Sequence, residues 1–190
     1  MALLTPDEFA TEFGKFTRSA FRLELFDHYV ASNETEPFRL FLNGEIPSPE
    51  WRQPWQRLVR GKVAAGATMA RVHVVTEPLT DYTLFELTCA YPASVAAGED
   101  IRVLPRHRTR ELDLPDTDFW LLDDRVAVMH YDRHGNWLSV DLHRAPDMAL
   151  RYEQARNAAM AAASPLALYL NEIAHRTEEH QHGCHHRRAS

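Results

Sequence analysis

The chain has 190 residues, 45% of them hydrophobic and 25% charged, which is enough for one domain with a packed core and short of two. A net charge of −6 argues against nucleic-acid binding by the surface as a whole and leaves only a local basic patch, around Arg102, Arg106, Arg108 and Arg110. No apolar run approaches the roughly 20 residues of a spanning helix, no basic-then-apolar leader opens the chain, and two cysteines, Cys89 and Cys184, make no disulfide framework; a cytoplasmic protein off the membrane is expected.

Thr5-Pro6-Asp7-Glu8 opens a helix, with Thr5 as cap, Pro6 at the first position and acids near the positive end. Phe9, Phe13 and Phe16 follow as one aromatic stripe, which reads as a core face rather than a partner-binding one. Ala20 to Val30 alternates as a half-buried strand, with Arg22 and Glu24 on a polar face that solvent alone could satisfy. Glu34 to Leu42 is helical and stops at Asn43-Gly44. Trp51, Trp55, Leu58, Val59 and Val63 recur at helical spacing up to Gly66, and the two tryptophans read as core anchors.

Val72, Val74 and Val75 mark a strand with Arg71 and His73 on the face opposite Val72 and Val74. Pro78 stops it, Thr80 or Asp81 caps a helix through Tyr82, Phe85, Glu86 and Cys89, and Pro92 is expected to end that helix. The alternation Phe85, Leu87, Cys89, Tyr91 would also suit a strand. A turn at Ala97-Gly98-Glu99-Asp100 leads into a strand at Ile101 to Leu104. His107 to Pro115 is polar, without apolar periodicity, and is the expected mobile segment. Phe119 to Leu122, Arg125 to Tyr131 and Trp137 to His143, joined by tight turns, read as an antiparallel meander. Pro146 starts a helix with a small-residue face at Tyr152, Ala155 and Ala159; Ser164-Pro165 breaks it, and Leu166, Leu170 and Ile173 continue as another.

The segments Arg71-Val72-His73-Val74-Val75, Glu77-Pro78-Leu79, Asp81-Tyr82, Glu86, Tyr91-Pro92 and Ala97 to Arg102, with Asp118-Phe119-Trp120-Leu121 and His130-Tyr131-Asp132, resemble an uncharacterised family of short actinobacterial proteins. The resemblance runs from Leu3 to about Tyr169 and leaves out the tail after Arg176. Such proteins are encoded near helix-turn-helix regulators, which implies a regulatory or partner role by association and no activity.

Three constellations could carry chemistry. His73, Glu77, Asp81 and Glu86, joined by Glu24 and His130 if the strands at Arg22 and Arg71 are neighbours, could hold magnesium or manganese or perform acid–base work. The competing reading makes His73 a hydrogen-bonded core histidine and the acids caps and turn residues. His182, Cys184 and His185 in the tail have the atoms for a soft divalent metal, but their spacing does not match a closed site, and the composition reads as a disordered tail. Arg71, Tyr82, Tyr91, Trp120 and Tyr131, with Trp137, could line a pocket or interface. No nucleophile elbow, phosphate loop or dinucleotide fingerprint occurs, and Cys89 sits in an apolar neighbourhood.

The expected fold is a single α+β domain over residues 1–174, a mostly antiparallel sheet with a meander in its C-terminal half and helices from both ends of the chain, followed by a histidine-rich tail at 175–190. The leading function is a non-enzymatic regulatory or interaction protein that partners a helix-turn-helix regulator, with no direct nucleic-acid contact and no cofactor. A metal-dependent hydrolase or nuclease-like enzyme, with a divalent metal, and a small-molecule sensor are the alternatives.

Overall fold

The computed structural model describes the backbone of residues 2–186 and the side chains of residues 2–176. Eight strands form one sheet: β1 (Ala2–Leu4), β2 (Ser19–Glu24), β3 (Thr68–Val75), β4 (Asp100–Pro105), β5 (Phe119–Leu122), β6 (Arg125–Tyr131), β7 (Trp137–His143) and β8 (Ser164–Pro165). Their order is β1-β7-β6-β5-β2-β3-β4-β8. Only β2-β3 and β3-β4 pair in parallel; every other pairing is antiparallel. The α+β architecture and the β5-β6-β7 meander are as read from the sequence. The two end strands, three and two residues long, are too short to leave a periodic signal.

Parallel neighbours need long crossovers. α2 (Thr35–Leu42) and α3 (Gln53–Ala64) lie between β2 and β3; α4 (Asp81–Phe85), a π-helical turn (Glu86–Ala90) and α5 (Tyr91–Ala97) lie between β3 and β4. The helix choice for this second segment is correct, but Pro92 does not end it. Pro92 lies in the first turn of α5, where its missing N–H interrupts nothing, and the π turn before it widens the backbone, Tyr91 N–H bonding back to Glu86 O. The chain stops instead at Gly98, at φ +111°.

α1 (Pro6–Phe13) and α3 cover one face of the sheet, where Phe9, Phe13, Phe16 and Val59 pack against Met69, Trp120 and Val140. α6 (Pro146–Ala162) covers the other, where Tyr152, Ala155 and Ala159 meet Leu23, Val72, Val74 and Leu121. α7 (Leu166–His186) places Leu166 and Tyr169 beside Tyr91, Ile101 and Val103. β2 stops at Glu24, short of the expected Val30, and with both faces covered its residues from Ala20 on are buried rather than half-buried, so that Arg22 and Glu24 are enclosed instead of solvated.

Asp123 shows how tightly the turns are tied. It sits at φ 56°, unusual for a residue other than glycine, and its carboxylate accepts N–H bonds from Thr17, Arg18 and Ser19 at 2.7–3.0 Å. Burial pushes its pKa up, and the three backbone donors outweigh that and hold it below 3.8. Asp123→Ala should cost about 1 kcal/mol in urea unfolding at neutral pH, since the exposed N–H groups of Thr17 and Arg18 turn to water and only that of Ser19 is part-buried. The folded pKa is depressed, so the carboxylate's contribution is present above the unfolded value and fades as pH falls through the folded one. The wild type and the variant should therefore converge in stability toward acid pH.

Candidate functional site

The parallel register of β2 and β3 sets Arg22 beside Arg71 and Glu24 beside His73, all on the face opposite Leu23 and Val72. Glu24 is the hub. Its Oε1 accepts from Arg71 Nη1 at 2.7 Å and Arg22 Nε at 3.3 Å, and its Oε2 accepts from the Tyr91 hydroxyl at 2.8 Å. Arg71 also donates through Nε to Glu99, whose second oxygen receives Trp55 Nε1 at 2.8 Å. Arg22 donates through Nη2 to Asp118 and to the Tyr131 hydroxyl. Asp118 is fully buried and accepts further bonds from Tyr29 O–H at 2.6 Å and Leu25 N–H at 2.9 Å. Both guanidiniums lie over the Trp120 ring, 5.4 and 5.9 Å from its centroid.

Burial would drive Glu24 to its neutral form, but Arg71, Arg22 and His73 overcome that and hold its pKa far below the usual carboxylate range. Glu86 moves the opposite way. It is buried, and the charges of Glu24 and Glu34 add to burial in pushing its pKa well up. The Glu86 Oε2 atom has no hydrogen-bond partner; His73 Nδ1, 3.7 Å away, is too far. His73 is fully buried, with Nε2 2.9 Å from the Phe26 carbonyl and Nδ1 2.9 Å from the Tyr91 hydroxyl. A carbonyl only accepts, so Nε2 carries a hydrogen. Both nitrogens are thus held by the protein, and neither is available to a substrate.

Arg22, Glu24, Arg71 and Glu86 line a cavity of about 170 Å³ together with Tyr29, Tyr82, Tyr131, Glu34 and Arg52. The Tyr82 hydroxyl donates to Glu34 at 2.5 Å, and burial raises the pKa of both groups. A second cavity of about 160 Å³ shares Tyr29, Val30, Glu34 and Tyr82 with the first and continues among His28, Ala31 and Phe38. The rim is positioned by the β6-β7 hairpin: Val30 N–H bonds to Gly135 O at 3.0 Å, and a Cβ on Gly135 would stand 2.6 Å from the His28 carbonyl. Gly135 is also at φ +82°, so Gly135→Ala should cost about 1–3 kcal/mol, measurable by urea unfolding, and shift the rim.

The sequence-derived candidates divide. His73 and Glu86 meet here, as do Arg71, Tyr82 and Tyr131, with Tyr91 and Trp120 directly beneath. Glu77 and Asp81 do not. Glu77 faces Tyr169 and Arg176, at 2.9 and 2.7 Å, and Asp81 is exposed at the start of α4, because the chain turns away from the sheet after Val75. His130 bonds to Asp141 on β7. The four-residue acidic and histidine centre is thereby withdrawn, and among the described residues no group of three His, Cys, Asp or Glu is placed to hold a metal ion. His182, Cys184 and His185 lie outside the described side chains. The basic patch is also reduced: Arg102 is paired with Asp100, and Arg106 is engaged with Thr76 and the Leu25 carbonyl. In the expected mobile segment, Leu112 and Leu114 pack on the sheet beside α6.

Tyr29, Glu34, Arg52 and Asp118 were not candidates from the sequence. Each is far along the chain from Arg71, and only Arg22 and Glu24, charged residues within an apolar strand, carried a local signal.

A family model for a domain of unknown function, DUF6879, matches residues 7–171. The chain belongs to the DUF6879 family. Among curated proteins no relative matches. Of solved structures, a phospholipase D family member, Nuc from Salmonella typhimurium, aligns with a TM-score of 0.52 at 7% identity, covering 86% of this DUF6879 chain and 95% of that one. At that identity the likeness concerns the fold alone. TrmBL2, an archaeal chromatin protein, aligns with a TM-score of 0.47 at 8% identity over 83% of this chain, which spans about half (48%) of that longer protein. Among the described residues no helix is long and apolar enough to cross a membrane.

Proposed function

We propose that this chain is a non-enzymatic regulatory protein whose charged cavity senses a small polar molecule and whose partner is a helix-turn-helix transcriptional regulator, both acting in the cytoplasm. One observation carries the sensing part. Around the cavity Arg22, Arg71, Glu24, Asp118 and His73 are cross-bonded within the protein, and among the described residues one buried carboxyl oxygen of a lining residue, Glu86 Oε2, has no hydrogen-bond partner. Cross-bonded charges held in fixed positions suit recognition; a general base must be able to reach the proton that it takes. The partner rests on the resemblance to actinobacterial proteins encoded beside such regulators and on the net charge of −6, which favours acting on DNA through another protein.

The test is co-expression of the tagged chain with the regulator encoded beside it, followed by a thermal-shift screen of the complex against polar metabolites. A stable complex and at least one metabolite that raises the melting temperature are expected. Separate elution of the two proteins removes the partner, and a flat screen across all metabolite classes removes the sensor.

A further inference from the structure

We propose that the occupant of the paired cavities is a small zwitterion with an apolar side group, of the α-amino-acid class. This rests on the sensor reading above and adds the ligand's chemistry to it.

The first observation is what the two arginines leave unused. Arg22 spends Nε and Nη2 on Glu24, Asp118 and Tyr131; Arg71 spends Nε and Nη1 on Glu99 and Glu24. Among the described residues, Nη1 of Arg22 and Nη2 of Arg71 have no partner, and both arginines line the first cavity at adjacent register positions on parallel strands. With both free guanidinium edges at one cavity, the two oxygens of a single carboxylate would each find a donor.

The second observation is a pair of carboxyl groups on another wall. Glu86 and Glu34 both line this cavity, and the Glu86 carboxyl carries an oxygen, Oε2, that is buried in its wall with no hydrogen-bond partner among the described residues. Without a ligand, burial and the neighbouring carboxylates keep Glu86 protonated; an anion would hold it so, whereas an ammonium beside it draws the proton off and pairs with the carboxylate that is left. A cation alone would meet the two arginines. A ligand carrying both charges satisfies both walls, its carboxylate on Arg22 and Arg71 and its ammonium on Glu86 and Glu34.

The third observation is size and what adjoins. The two cavities, about 170 and 160 Å³, are each well below the roughly 300–1,000 Å³ of common ligand pockets, so the pair suits a molecule of a few heavy atoms in each rather than a nucleotide or a large cofactor. The second cavity opens past Tyr82 and Glu34 among Val30, Ala31 and Phe38, where an apolar side group of a few carbons would fit. The Tyr82–Glu34 bond stands between the two and selects how the ligand is laid across them.

Isothermal titration of the full chain with L-leucine, 4-methylpentanoate and 3-methylbutylamine separates the two charge contacts. L-leucine should bind, and each analogue, lacking one charge, should bind on the order of tenfold or more weaker. Glu86→Gln, which keeps size and hydrogen bonding, should cost L-leucine about as much as removing its ammonium while leaving 4-methylpentanoate unchanged. Ala31→Phe, filling the second cavity, should abolish leucine binding with little effect on glycine. If 4-methylpentanoate binds as tightly as leucine, or Glu86→Gln leaves leucine binding intact, the zwitterion is overturned. Stabilisation by a different metabolite class while the amino acids are silent overturns the ligand and leaves the sensor standing. Silence from every class overturns both.

Discussion

Asp118→Ala should lower the unfolding free energy by about 3–5 kcal/mol, the range for removing one partner of a buried ion pair. Asp118 has no exposed surface and serves three donors: Arg22 Nη2, Tyr29 O–H and Leu25 N–H. Burial pushes its pKa up, against the opposing pull of Arg22 and Tyr29, which shows that desolvation of this carboxyl is not fully offset by its partners. Intact, the pair therefore adds little net stability. Removing one side is another matter: the alanine leaves Arg22 in a dry site with only Glu24 and Tyr131 for company, and orphans a backbone N–H. For a chain of this length the melting temperature should fall by about 2–4 °C for each kcal/mol. The double variant Asp118→Leu with Arg22→Met should recover much of the loss, since it removes both charges together. A loss under about 1 kcal/mol for Asp118→Ala would mean that this carboxylate is solvated and takes part in no buried ion pair.

The second large effect is on pH dependence. Glu86 is pushed up by burial first and then by the charges of Glu24 and Glu34. Its folded pKa lies above the ordinary 4.5, so between the two values the folded chain holds a proton that the unfolded chain has lost. The corresponding stability is fully present below the unfolded pKa and drains away as pH rises through the folded one. Glu34 and Asp118, also pushed up by burial, act in the same sense. Glu24 and Asp123, held down, act in the opposite sense at the acid end. The wild type should therefore lose stability on both sides of a maximum. Glu86→Gln keeps the shape and cannot ionise. Its melting temperature should match the wild type near pH 4.5 and exceed it at pH 8 by at least about 2–4 °C, equivalent to ~1 kcal/mol. Parallel pH curves for the two proteins would show that Glu86 is ionised in the folded chain and would remove the neutral carboxyl from the cavity.

Much of the secondary structure was legible because it is set locally. Thr5-Pro6 with Glu8 predicts a capped helix, and the cap forms reciprocally, Thr5 with Glu8. Hairpin turns at Asp123-Asp124 and Asp132 to Asn136 predict the meander, and its register follows. Periodicity leaves open whether Arg22 and Glu24 face solvent or a site, and it marks Pro92 as a helix stop; burial of the second sheet face and the π turn at Glu86–Ala90, which decide both, come from packing and from elements distant in sequence.

The centre itself shows the division. The alternation of charged and apolar residues in Arg22 to Glu24 and Arg71 to His73 already placed each polar pair on one face of its strand, since side chains alternate with period two whatever surrounds them. The sequence could not say that these strands run parallel and in register, that the chain leaves the sheet before Glu77 and Asp81 can join them, or that Asp118, Tyr29 and Glu34 arrive from elsewhere. Those are contacts across 47 to 96 residues. Periodicity reports only which way a side chain points, and a buried charge network exists only where many elements close over the same few side chains at once.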